Sequence, residues 1–365
     1  ASGLDLGIDI DGVVVVDAVA LRDLMEVTGG VTVGGKMIDA ENVLEEVLHT
    51  NYLAFEDAEA RPERLSYQGD IAKAVFDKIT TSDVSITELA EALLTTSEGR
   101  HVVLWGADPQ LQEAWEELGV AGALDPFGLM ISFQNYGANK LDWYLRPAST
   151  LDVQLLPSGD YRARLTMSVA IPSLAEMPGA SAYVLGPTPE KHGMFLTVHL
   201  PKAAYDITTP DARGFRTKGD EPPMQVRTFL ADVPLGTTFT RSIDFSLPRE
   251  VGGLLLLPSA RMVPMPLTVD GAVTVDDAVP VAISWIAAGP AGGTGTGISM
   301  WVRVPALGAM AATVVACAGT SLGVARRRRR TSAPWPRAVA ISAGLALTGF
   351  ALAGAIALLL SVPRV

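Results

Sequence analysis

Three polar residues near the middle of the chain, Asn139, Lys140 and Asp142, are of types that can do chemistry. A lysine and an aspartate two residues apart can orient a substrate or a phosphate group. The same residues also suit a tight turn, because asparagine and aspartate side chains hydrogen-bond to nearby backbone groups. With Asn135 and Gly137 beside them, we favour the turn interpretation, in which they satisfy backbone groups where two layers of structure meet.

Other catalytic and metal-binding patterns are weak or absent in the sequence. Asp5, Asp9 and Asp11 alternate as in a calcium-binding loop, but the glycine and the final glutamate of an EF-hand do not follow. Gly-x-Ser-x-Gly, His-Glu-x-x-His and Walker motifs are all missing. The histidines show no metal-site or triad spacing. We therefore predict no metal site, and the catalytic residues remain unknown.

The elements that must position the polar cluster follow from the hydrophobic pattern. From Gly12 to Leu145, short β-branched runs alternate with amphipathic helices, which is typical of an α/β domain. Asp17 is placed to cap a helix, and Ser85 with Glu88 has capping-box spacing. We assign residues 1–147 to this domain, with further helices predicted at 40–49, at 68–79 and after Asp108.

Beyond Pro147 the hydrophobic period changes to two, the period of a β-strand. Leu151 and Val153 alternate with polar residues, and a turn at 157–160 leads to a second strand that carries Arg162 and Arg164 on its polar face. Later strands are separated by proline and glycine turns. The pattern predicts an antiparallel β-sandwich over residues 148–287, followed by a glycine-rich linker over 288–303.

Two uncharged apolar stretches, residues 304–325 and 338–362, follow the linker. Each is long enough to cross a hydrocarbon core of about 30 Å at roughly 1.5 Å of rise per residue. The loop 326–337 between them is rich in arginine and has no acid, so we expect it to stay in the cytoplasm. The sequence thus predicts a transmembrane hairpin, a multi-pass cell-membrane location and an extracytoplasmic N-terminal part. The arginines that set this topology are Arg326, Arg327, Arg328, Arg329 and Arg330.

Charge supports the same orientation and limits the partners. All 40 acidic residues but only 20 of the 28 basic ones precede Arg303, so that part has a net charge of −20. Such an acidic surface argues against nucleic acid as a partner. Cys317 is the only cysteine, which excludes disulfides. The chain starts at Ala1 without a methionine or a signal peptide. Either a signal peptide is cleaved immediately before Ala1, or the first domain is truncated at its N-terminus, and we favour truncation.

Several segments together resemble the actinobacterial domain of unknown function 4012. They are Gly12–Asp17, Gly29–Val33, Asn51–Tyr52, the set Arg61, Arg64 and Gln68, and Gly137–Leu145. The resemblance covers about residues 3–147, and the family has no established activity. It is in turn distantly similar to the C-terminal part of LytR-CpsA-Psr domains. Those enzymes move a glycopolymer phosphate from a polyprenyl pyrophosphate carrier onto peptidoglycan.

The resemblance implies a role for Arg61, Arg64 and Gln68. In LytR-CpsA-Psr enzymes an arginine pair ahead of a glutamine helps to hold the pyrophosphate, and guanidinium groups suit this because they bind phosphate oxygens bidentately. The sequence departs from that pattern, since three residues separate Arg64 from Gln68. The alternative is that the two arginines lie on a solvated loop or helix face.

The sequence is consistent with two functions from different classes. The first is a membrane-anchored, extracytoplasmic cell-envelope protein that binds wall polymer or a partner protein, with the lipid bilayer as its other partner. The alternative is a phosphotransferase that attaches glycopolymer from a polyprenyl pyrophosphate carrier to peptidoglycan. Magnesium is expected only for the second.

Overall fold

The structure is a computed structural model that describes residues 10–54, 61–287 and 298–303. The chain divides into two compact units. The described residues of the first unit are 10–41 and 71–123, and those of the second are 42–54, 61–70, 124–287 and 298–303. Each unit is built from its own core.

The helices of the described part are numbered in chain order. The α-helices are α1 (Ala18–Thr28), α2 (Val43–Glu45), α3 (Asn51–Ala54), α4 (Arg61–Thr81), α5 (Ile86–Glu98), α6 (Pro109–Glu117) and α7 (Ala182–Leu185). A π-helical turn, Glu46–Thr50, joins α2 to α3. Short 3-10 helices cover Leu141–Tyr144, Leu174–Glu176 and Arg249–Val251.

The strands are numbered in the same way. The first unit contains β1 (Gly12–Val16), β2 (Val31–Val33), β3 (Lys36–Ile38) and β4 (Val102–Gly106). The second unit contains β5 (Gly128–Asn135), β6 (Arg146–Leu155), β7 (Tyr161–Ala170), β8 (Lys191–Pro201), β9 (Tyr205–Thr208), β10 (Thr217–Glu221), β11 (Met224–Pro234), β12 (Thr238–Leu247), β13 (Gly253–Leu257), β14 (Pro266–Val269), β15 (Val273–Asp276), β16 (Val281–Ala287) and β17 (Ile298–Arg303).

Local signals in the sequence set the helix ends of the first unit. Asp17 caps α1 by accepting hydrogen bonds from two backbone amides of its first turn, at 2.9 and 3.0 Å. Ser85 and Glu88 form the capping box of α5, and Asp108 caps α6. These three caps confirm the predicted helix starts. Helix α4 begins at Arg61, in the second unit, earlier than the predicted 68–79. Pro62 is compatible with this start, since a proline is tolerated in the first turn of a helix.

Antiparallel ribbons make up the sheet structure of the first unit. Strand β1 pairs with β4, and β2 pairs with β3. Helices α1, α5 and α6 cover one face of the β1–β4 ribbon, where apolar side chains form a core. Its most deeply buried members are Ala20, Val102, Trp115 and Val120.

Two mixed sheets pack face to face in the second unit. Their strand orders are β10-β11-β8-β5-β13-β16-β17 and β15-β14-β6-β7-β12-β9. Most neighbours are antiparallel, but β5 runs parallel to β13 and β6 runs parallel to β14. Inward side chains of both sheets form the largest core of the described residues, since alternate positions of each strand point to one face. Leu129, Leu165, Leu196 and Ile243 are among its fully buried members.

The predicted fold class is wrong, and the described fold is mixed α/β. The sheets are not purely antiparallel, and β5, from the segment assigned to the α/β domain, lies between β8 and β13. Strand β17 lies within the segment predicted as a linker and pairs with β16. The cause is long-range pairing: Leu129 and Ile131 are fully buried between the sheets, and hydrophobic period does not specify which strands become neighbours.

The predicted transmembrane hairpin is not seen, which is a second correction. Among the residues that the structure describes, no helix is both long and apolar enough to cross a membrane. Helix α4, with 21 residues, has the length, but seven of its side chains are charged. The predicted spans 304–325 and 338–362, and the loop with Arg326–Arg330, lie outside the described residues. The location at the cell membrane stays a prediction.

Candidate functional site

Four side chains of the second unit form a compact group that we call the tyrosine–arginine cluster: Tyr52, Arg64, Lys140 and Tyr183. The Arg64 guanidinium carbon lies 5.2 Å from the centre of the Tyr52 ring and 4.6 Å from that of Tyr183. The Lys140 ammonium lies 5.2 Å from the Tyr52 ring centre. The two rings are stacked at 6.3 Å with an interplanar angle of 19°. Both cations therefore lie against the Tyr52 ring, and Arg64 also lies against Tyr183.

Different elements bring the cluster together. Tyr52 comes from α3, Arg64 from the first turn of α4, and Tyr183 from α7, while Lys140 directly precedes a 3-10 helix. The Lys140 backbone amide donates to the carbonyl of Val184, at 2.8 Å. This bond joins the segment of Lys140 to the helix that carries Tyr183.

The three residues proposed for pyrophosphate have different surroundings. Arg61 is exposed, whereas Arg64 is only 4% exposed. Gln68 donates from Nε2 to the carbonyl of Val47, at 3.2 Å. The three side chains therefore differ in exposure and in partners, and their role in holding a pyrophosphate stays a prediction.

The π-helical turn between α2 and α3 adds a histidine that sequence reasoning missed. His49 stacks on Trp143 at 5.1 Å, and its Nε2 lies 2.8 Å from the Tyr144 hydroxyl. Burial lowers the pKa of His49, and the Glu45 charge opposes that shift. Burial also raises the pKa of Tyr144. Since π turns inside helices are frequent at functional sites, this irregular turn is a useful signal in the fold. The sequence predicts only an ordinary helix there.

A neighbouring group of polar side chains, the Asn139 network, contains Asn135, Asn139, Asp142 and His192. Asn135 Nδ2 donates to the Asn139 carbonyl at 3.0 Å and to Asp142 Oδ2 at 2.6 Å. His192 Nδ1 lies 2.8 Å from Asn139 Oδ1. Asn139 is 2% exposed and His192 is fully buried. These bonds replace only part of the lost hydration, because Asn139 Nδ2 and His192 Nε2 have no hydrogen-bond partner among the described residues.

Burial dominates the electrostatics of the network. It lowers the pKa of His192, and the nearby charge of Asp142 opposes this shift. Gly186 packs against the same network with a φ of +71°, and a Cβ there would lie 2.8 Å from Asn139 Cβ. Only glycine fits both constraints. The residues predicted to fix a turn thus lie in a tightly packed, polar turn region, whose functional role stays a prediction.

A second polar region lies on the outer face of the six-stranded sheet. Its recess has a volume of about 540 Å³. We call it the strand groove. The lining side chains are Asp152, Val153, Gln154, Arg162, Arg164, Asp244 and Asp270.

Strand register explains the charge pattern of the groove. Arg164 on β7 lies opposite Asp152 on β6 and opposite Asp244 on β12. Arg164 donates to both carboxylate oxygens of Asp244, from Nε at 2.7 Å and from Nη2 at 3.0 Å. This hydrogen bonding holds the pKa of Asp244 below its ordinary value. The Asp244 carboxylate is therefore paired with the Arg164 guanidinium, whereas the Asp152 side chain is exposed.

The remaining polar groups of the groove are partly held by the protein itself. Arg162 Nη1 donates to Ser246 Oγ at 3.1 Å, and Asp270 Oδ1 accepts from the Val153 amide at 2.8 Å. Gln154 is exposed beside them. Sequence reasoning placed Arg162 and Arg164 on the polar face of a strand but did not identify a groove, because the acids come from three other strands or turns.

Comparisons with known proteins match one short segment of the chain to a family model and add little else. Residues 4–52 match the family model described as protein of unknown function (DUF4012). The match supports that family. It includes Tyr52 of the tyrosine–arginine cluster and ends before Arg61. No curated protein shows a significant match.

One solved structure that matches is a candidate nutrient binding protein from Legionella pneumophila. The sequences are 8% identical, the TM-score is 0.25, and the match covers 39% of this chain and 53% of that one. The chain therefore spans about half the length of that protein. A likeness at this score carries no argument about function.

In the part of the chain that the structure describes, no three His, Cys, Asp or Glu side chains are grouped so that they could hold a metal ion. Asp5 and Asp9 of the calcium-like spacing lie outside that part.

Proposed function

We propose that the chain is a binding protein of the cell envelope whose strand groove holds a hydroxyl-rich stretch of wall polymer. The observation that carries this proposal is the recess of about 540 Å³, lined by six polar side chains of both charges. Its volume lies within the range of roughly 300 to 1,000 Å³ typical of small-molecule sites.

The lining chemistry supports a polar, uncharged ligand. Sugar hydroxyls both donate and accept hydrogen bonds. In the groove, the Asp152 carboxylate can accept from a hydroxyl, the Arg162 guanidinium can donate, and the Gln154 amide can do both. The two arginines and three aspartates of the lining nearly balance, which favours neither an anionic nor a strongly cationic ligand.

The phosphotransferase alternative has less support. It requires Arg64 to contact a pyrophosphate, but Arg64 is 4% exposed and packs on two tyrosine rings. The similarity to LytR-CpsA-Psr domains, the actinobacterial origin and the need for magnesium stay predictions.

Binding of soluble peptidoglycan oligosaccharides to the full chain, measured by calorimetry, tests the proposal. We expect Asp152→Ala to weaken binding about tenfold or more, because a hydrogen bond to a charged group contributes about 1.5 to 3 kcal/mol. Glu250→Ala, an exposed acid outside the groove in the same unit, is the matched control and should bind as the parent chain does. Equal weakening by both variants, or no binding by the parent chain, would refute the proposal.

A further inference from the structure

Large apolar side chains are exposed together on the β1–β4 ribbon of the first unit. Val13, Val15, Val16 and Trp105 are 41%, 56%, 46% and 47% exposed. Val13 lies directly opposite Trp105 in the antiparallel register. Because side chains alternate along a strand, Val13, Val15 and Trp105 share one face, and Val14 packs on the core of the other. As far as the described residues show, the outer face of the ribbon is therefore apolar and exposed.

The free edge of β1 follows from the hydrogen-bond pattern. The Leu104 amide donates to the Val120 carbonyl at 2.9 Å and so points away from β1. Val14 lies opposite Leu104, so its backbone groups also point outward, as do those of Gly12 and Val16. Within the described residues β1 pairs with β4 alone.

Edge strands are usually protected by a lysine, a proline, a bulge or a short length. Strand β1 contains one glycine and four valines and no charged residue. Its backbone groups and its exposed side chains are thus both suited to the addition of another strand.

Charge indicates the chemistry of such a partner. The described residues of the first unit include 15 acidic and five basic side chains. Asp11 and Asp17 flank β1 on either side. If two copies of β1 paired antiparallel in the fully overlapped register, Asp11 of one copy would face Asp17 of the other. Like charges in opposite positions disfavour that pairing, and the acidic surroundings favour a basic partner.

We propose that β1 is a docking edge for an extended segment of another protein, apolar at alternate positions and flanked by lysine or arginine. The segment adds beside β1 as a strand, and its backbone forms hydrogen bonds with Gly12, Val14 and Val16. Its apolar side chains extend the face formed by Val13, Val15 and Trp105. This surface belongs to the first unit and shares no residue with the strand groove.

A synthetic peptide with alternating valine and threonine between paired lysines is a direct probe of the edge. Fluorescence anisotropy with the full chain should detect binding that added salt weakens. The same peptide with N-methyl groups on alternate residues should bind about tenfold or more weakly, because it lacks the donors for one edge. An acid-flanked version should also bind more weakly. Equal binding of all three peptides would overturn the proposal. Because only the peptide is changed, misfolding of the protein cannot explain a difference among them.

Variants of the chain give a second arm. Val15→Lys should reduce binding about tenfold, whereas Val263→Lys, at a 47% exposed position in the second unit, should not. Circular dichroism checks that both variants fold. An equal effect of the two variants would contradict the proposal. A stable dimer that Val15→Lys dissociates would also do so, because the occupant of the edge would then be a second copy.

Discussion

Two arginines of the second unit illustrate how one chemical group is used in two ways. Arg64 in the tyrosine–arginine cluster is 4% exposed and lies against two aromatic rings. The Arg164 side chain in the strand groove is 57% exposed and pairs with Asp244. A guanidinium can serve a ligand only where it is accessible, so the groove is the better binding site although the sequence directs attention to Arg64.

The difference arises from the elements that carry the two residues. Arg64 lies on a helix, and aromatic residues from α3 and α7 enclose its charge. Burying a charge is unfavourable unless partners compensate, and here ring electrons supply part of the compensation. Arg164 lies on the outward face of a strand, where alternation keeps it in solvent. Substitutions can test whether Arg64 is enclosed in the tyrosine–arginine cluster and whether Arg164 is accessible in the strand groove.

The largest effect is expected at Arg64. Arg64→Ala removes two cation–π contacts and the packing of the side-chain stem, so the free energy of unfolding should fall by about 2 to 4 kcal/mol. Urea denaturation of the full chain, followed by tryptophan fluorescence, measures the change. Arg61→Ala, at an exposed position on the same helix turn, is the control and should change stability by less than about 0.5 kcal/mol.

A contrary result would be equally informative. If Arg64→Ala were as stable as Arg61→Ala while losing affinity for a phosphorylated lipid carrier, Arg64 would be a ligand-binding residue and the contrast between the two sites would disappear.

Features set by neighbouring residues were predictable from the sequence, whereas contacts between residues far apart in the chain were not. The caps at Asp17, Ser85 and Asp108 depend on a few neighbouring residues, and the polar face with Arg162 and Arg164 depends only on strand alternation. The enclosure of Arg64 depends on Tyr52 and on Tyr183, which is more than a hundred positions away. No local pattern encodes such a contact.

The same limit explains the errors in the sheets. Strand β5 has the apolar period of a strand, yet its neighbours β8 and β13 start far along the chain. Hydrophobic period specifies which face is buried but not which strand lies beside it. The acids of the groove were missed for this reason, since only strand order brings Asp244 beside Arg164.

A smaller effect, one that depends on pH, is expected at His192 of the Asn139 network. Burial lowers the pKa of His192 in the folded state, so the unfolded state binds protons first as the pH falls. Its contribution to stability is complete above the unfolded pKa of about 6.5 and declines below it. His192→Gln should reduce the loss of stability between about pH 7 and pH 5. Urea midpoints across that range measure this.

His49 should also make the protein less stable as the pH falls, because burial lowers its pKa as well. Some pH dependence should therefore remain in His192→Gln, and the double variant with His49→Gln should show less. An unchanged pH profile in both variants would show that these histidines do not titrate differently in the folded and unfolded states.

The smallest effect on stability is expected in the groove. Arg164→Gln removes an exposed partner of Asp244, and exposed ion pairs contribute little because water and salt screen them. Arg164 lowers the pKa of Asp244, so the stabilisation by the pair is present above the ordinary aspartate pKa and is lost as the pH falls through the lowered one. The parent chain and the variant should therefore differ slightly at neutral pH and converge in acid. A loss as large as that of Arg64→Ala, or one that persists in acid, would show that the pair is structural, and the groove would then be no more open to a ligand than the tyrosine–arginine cluster.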